Sequence, residues 1–73
     1  MRISGIVRWF NDAQGCGFII PADGTKDCFV RDSSIDGFRT LGAGEAVDFE
    51  VMQGANGPMA LNVARSRTVV RNG

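Results

Sequence analysis

The chain has no histidine and no tyrosine, and among its 73 residues it has two cysteines and two prolines. Without histidine there is no imidazole for proton transfer, and two cysteines cannot build a four-ligand zinc site. No glycine-rich segment ends in the Lys-Ser or Lys-Thr of a phosphate-binding loop. Apolar runs are short: none approaches a membrane span, and the N-terminus lacks the apolar stretch of a secretory signal. The expected setting is therefore cytoplasmic, with no membrane partner. Asp12, Asp23, Asp27, Asp32, Asp36 and Asp48 fall in turns or on exposed strand faces and read as solvated turn formers. Asp23 and Asp27 flank a turn, but their spacing matches no cation-binding loop. This inventory argues against an enzyme and calls for no cofactor or metal.

What is present suits a folded domain. Hydrophobic residues make up 44% and charged residues 22%, which argues against disorder. A chain this short forms one domain near the lower limit for a self-sufficient core, so its stability is expected to be marginal. Lys and Arg balance Asp and Glu at eight each, but unevenly along the chain. Residues 1–50 carry five cations and eight acids, and residues 51–73 carry three cations and no acid. Global attraction to a polyanion is not expected; any such binding has to come from local placement of cations.

Five short β-rich runs separated by turn residues organise the chain. They span Gly5 to Phe10, Cys16 to Ile20 (stopped by Pro21), Asp27 to Arg31, Ala46 to Met52 and Met59 to Ala64. Asp23-Gly24 and Asn56-Gly57-Pro58 read as turns, and Ser33-Ser34-Ile35 as one helical turn within a longer irregular segment. Strand alternation places Val47, Phe49 and Val51 inward in the fourth run, and Leu61 and Val63 inward in the fifth. Five strands, a long connection after the third and no sizeable helix predict an all-β, five-stranded antiparallel Greek-key barrel.

The aromatics suggest a use for such a barrel. In a small β-domain aromatic side chains ordinarily fill the core. If Ile19, Cys28 and Val30 face inward, however, alternation turns Phe18 and Phe29 outward. Cys16 then lies on the outer face and Cys28 on the inner, so the two are expected to stay reduced. Gly15 and Gly17 let another backbone or a ligand come close, and beside an outward Phe18 they read as a gap on a ligand face. Outward rings on a rigid sheet, next to cations, make a stacking platform for unpaired bases. The first run leaves a conflict: Trp9 and Phe10 lie on opposite faces, and both point outward only if a bulge or twist intervenes.

Gly5-Ile6-Val7-Arg8-Trp9-Phe10-Asn11, Gly15-Cys16-Gly17-Phe18-Ile19, Asp27-Cys28-Phe29-Val30, Gly37-Phe38-Arg39-Thr40-Leu41, Gly57-Pro58 and Asn62-Val63 together resemble the bacterial cold-shock protein family in order and spacing, over about residues 4 to 66. The resemblance implies an oligonucleotide-binding fold; the domain is expected at 1–66, and the tail at 67–73, which extends past the resemblance, reads as a frayed end. The resemblance also implies a monomer that binds single-stranded RNA and DNA, pyrimidine-rich by preference, through ribonucleoprotein-type motifs at Gly15 to Ile20 and Cys28 to Asp32. By the same resemblance Arg8 faces phosphate, Trp9, Phe18 and Phe29 stack on bases, Phe38 adds a stack from the long loop, and Phe10 and Asn11 flank or support the platform. Lys26, Arg31 and Arg39 supply further positive charge around the rings.

Departures from the family pattern bear on affinity. Cys16 stands where the first motif carries an aromatic, and Arg31-Asp32 where the second ends in His and Phe. At roughly 1–3 kcal/mol per stacked base, the two missing rings weaken binding about tenfold to several thousandfold. Arg31 offsets part of this by stacking or pairing with phosphate, while Asp32 sets a carboxylate in the path of the polyanion. Two functions therefore stand: an RNA chaperone or regulator of transcription and translation, or a diverged barrel with weak nucleic-acid binding that acts through protein partners.

Overall fold

A computed structural model describes residues 2–37 and 40–65. It contains strands β1 (Arg2–Asn11), β2 (Cys16–Pro21), β3 (Cys28–Arg31), β4 (Ala46–Gly54) and β5 (Gly57–Arg65), with a single 3₁₀ turn at Asp32–Ser34. The strands close into a barrel in the order β1-β2-β3-β5-β4. The β1–β2, β2–β3, β1–β4 and β4–β5 pairs are antiparallel, whereas β3 and β5 meet in parallel at Phe29 and Met59. Strand count explains that one departure from the expected antiparallel sheet. A closed ring with an odd number of strands cannot alternate direction all the way round, so one seam has to be parallel.

β1 is longer than predicted because it serves both halves of the barrel. Residues 5–11 pair with β2 and residues 2–6 with β4. The core is formed by Val7, Ile19, Cys28, Val30, Ile35, Leu41, Val47, Phe49, Ala60 and Val63, and no polar side chain among the described residues is buried with them. Burial of this apolar set drives the closure.

Two inward assignments in β4 and β5 need correction. Ala60 and Val63 are buried while Leu61 is half-buried. The register slips between Asp48 and Glu50, and Asn62 takes φ 52° there, so the inward positions of β5 fall three residues apart instead of two. Val51 sits opposite buried Ala60 and so faces the same side, yet it is 41% exposed. It lies at an open end of the barrel, beside Ile3 and Pro58.

Candidate nucleic-acid interface

Alternation in β2 and β3 comes out as expected: Ile19, Cys28 and Val30 are buried, which turns Phe18 and Phe29 to the outer face, where both are half-buried. In β1 the register with β2 slips between Val7 and Trp9, so Arg8 is the extra residue of a β-bulge. The bulge resolves the conflict between Trp9 and Phe10. Trp9 turns outward at 43% exposure and Phe10 packs against the core, so Phe10 supports the surface from beneath instead of joining it.

The bulge also sets the register of the rings. Trp9 pairs with Phe18, and Phe18 with Phe29, on three successive strands. Ring centroids are 5.5 Å apart in both contacts, one tilted by 55° and the other edge-on at 70°. Such contacts hold each ring in place before any ligand arrives, which lowers the ordering cost of binding.

Gly17 has a different role from the one read in the sequence. Its α-carbon faces β1, away from the rings, and a β-carbon there would lie 2.2 Å from the Trp9 carbonyl oxygen and 2.8 Å from the Phe10 Cα. The space is therefore taken up by close strand approach and not by a ligand. At Gly15 a β-carbon would lie 2.7 Å from Asp32 Oδ2, so the Asp32 carboxylate folds over Gly15, past the Cys16–Arg31 pair and to one side of the ring row. Cys16, half-buried, shares the outer face and pairs in register with Arg31.

The cations are not equivalent. Arg8 donates from Nε to Asp27 Oδ2 at 2.6 Å. A pair this exposed is worth about 0.2–1 kcal/mol, so a phosphate can take Arg8 over at small cost. Lys26 and Arg31 are exposed, their side chains make no hydrogen bond or ion pair with described residues, and both are available to phosphate. Asp27, a turn former by its place in the sequence, is thus the partner of Arg8; two residues nineteen positions apart carry no local signal of this. Phe38 and Arg39 lie outside the described residues, as does the tail from Ser66 onward. Below the outer face the Cys28 thiol is buried, and its pKa is raised by that burial first and then by Asp23 and Asp27.

Comparisons with known proteins show the family. A family model described as the 'Cold-shock' DNA-binding domain matches residues 3–66. The chain is 53% identical over 64 residues to the cold shock-like protein CspE of Buchnera aphidicola subsp. Acyrthosiphon pisum and, to the same degree, to the cold shock-like protein CspC of Escherichia coli K12. In both cases the match covers 85% of this chain and 93% of the relative. Among solved structures, the Drosophila Unr CSD456 structure superposes with a TM-score of 0.76 at 19% identity, covering 97% of this chain and 29% of that one.

Proposed function

The chain belongs to the cold-shock DNA-binding domain family and is a nucleic-acid-binding protein of that type; from that premise we propose that it lays a single strand of RNA or DNA across β1, β2 and β3. The observation that carries the reading is the register Trp9–Phe18–Phe29, which sets three outward rings in one row on neighbouring strands. Unpaired bases stack on the rings, and Arg8, Lys26 and Arg31 meet the phosphates. Any base has a π-face, so the row tolerates sequence, and the pyrimidine preference we assign rests on the family resemblance. The role that fits is binding without catalysis, by a cytoplasmic monomer that keeps RNA unstructured and so influences transcription or translation.

The test is a titration of the full chain with a pyrimidine-rich oligonucleotide at low salt, read by Trp9 fluorescence. Quenching is expected, weakening as salt rises in proportion to the few phosphates that Arg8, Lys26 and Arg31 neutralise, because counterions are released from the strand. No quenching, together with unshifted resonances at Trp9, Phe18 and Phe29 under excess oligonucleotide, would refute this function. The Asp32 carboxylate to one side of the row favours a second reading, a barrel whose binding has largely decayed, and that same null result would select it.

A further inference from the structure

The outer row does not stop at Phe29. Phe29 is in register with Met59 on β5, and Met59 with Met52 on β4, so one line of cross-strand neighbours runs Trp9, Phe18, Phe29, Met59, Met52. Met59 precedes buried Ala60 and therefore shares the outer face with Phe29. A groove joins them: Phe18, Phe29, Pro58 and Met59 form its apolar part, and Asp27, Arg31 and Asn56 its polar part. The Met59 thioether lies over Gly54, where a β-carbon would come within 2.6 Å of Sδ, so the side chain is held against the β4–β5 hairpin.

Resting on the platform function above, we propose that Met59 forms a further base-binding position, occupied by a nucleobase of the same strand that stacks on Phe29. Three features suit a base. The groove continues the ring surface without interruption. Its acidic side chain, Asp27, stands 2.6 Å from Arg8, which lies between this carboxylate and the phosphates, while the Arg31 side chain has no partner among the described residues and offers positive charge to the adjoining phosphate. A polarisable thioether beside an aromatic face binds another flat ring well, and the Asn56 carboxamide at the hairpin tip can read a base edge. In this chain the position compensates in part for the rings absent at Cys16 and Asp32.

The test labels the methionine methyl groups of the full chain and adds an oligothymidine hexamer at low salt, with Trp9 fluorescence followed in parallel. The Met59 methyl resonance is expected to move with the same midpoint as Trp9 quenching, and to move further than that of Met52. Met59→Ala is expected to weaken binding roughly two- to tenfold, and Phe18→Ala by more. Quenching of Trp9 with a stationary Met59 methyl would overturn this position and leave the three-ring platform standing. Absence of both responses would overturn the platform and Met59 with it. The methyl measurement uses the unaltered protein, so a folding defect in a variant cannot obscure the result.

Discussion

Replacing Gly17 with alanine tests the inner architecture of the ring surface. The new β-carbon would sit 2.2 Å from the Trp9 carbonyl oxygen and 2.9 Å from Phe10 Cδ1. A relaxed carbon–oxygen contact needs about 3.3 Å, so the deficit is about 1 Å. The oxygen belongs to strand backbone, so no flexible side-chain end can swing aside. β1 has to lift away from β2 around the Phe10–Gly17 pair, stretching the neighbouring ladder hydrogen bonds beyond useful length. Overpacking of about 1–3 kcal/mol, with a lost hydrogen bond or two at about 1 kcal/mol each, gives about 2–5 kcal/mol. A domain this small holds about 3–5 kcal/mol in total, so Gly17→Ala leaves little of it. Urea unfolding followed by Trp9 emission reads the loss. With a slope near 1 kcal/mol per molar, the midpoint falls by about 2 M or more. Gly24→Ala is the control: its φ of +81° is strained for alanine, but nothing lies within 4 Å, so the cost stays near 1–2 kcal/mol. An unchanged midpoint in Gly17→Ala with weakened oligonucleotide binding would refute the close-approach argument and restore the ligand-gap reading of this glycine.

Two further predictions concern the same face. A mild thiol reagent is expected to label Cys16 quickly, whereas Cys28, 1% exposed, reacts through unfolding and is slowed about a hundred- to several thousandfold at this stability. Bound oligonucleotide protects Cys16, and fast labelling of Cys28 in the native state would invert the assignment of faces. Asp32→Phe and Cys16→Phe are each expected to tighten binding, by roughly five- to a hundredfold for a full stack, and the Asp32 change also removes a like charge from the phosphate path. Unchanged affinity in both variants, measured by Trp9 quenching, would place these positions off the strand's route.

Alternation was enough to assign β2 and β3, because each is short, unbroken and lined on one face by Ile19, Cys28 and Val30, which closure of the barrel buries. It failed where the pairing slips. The bulge at Arg8 and the left-handed Asn62 each shift parity by one residue, and neither leaves a mark in local composition. The bulge could be inferred as a need, since Trp9 and Phe10 compete for one face, but not which ring would turn inward. Gly17 was misread because the same gap serves a ligand or a neighbouring strand, and tertiary packing decides between them. The Arg8–Asp27 pair and the Phe29–Met59 contact join distant segments, and they become visible once strand order and direction are known.

Charge and topology together indicate what carries the affinity. Arg2, Arg8 and Arg65 pair with Glu50, Asp27 and Glu45, which leaves Lys26 and Arg31 as the uncommitted cations of the described residues. With the overall charge balanced as well, long-range attraction is weak, and on the proposed platform stacking supplies most of the binding energy. The length of the stacking row then matters more than its charge. Four antiparallel seams in a five-stranded ring force the fifth to be parallel, and that seam is the one that brings Met59 beside Phe29. The parity of the barrel thus provides an apolar continuation of the ring row next to Arg31, in a chain that lacks aromatic rings at Cys16 and Asp32.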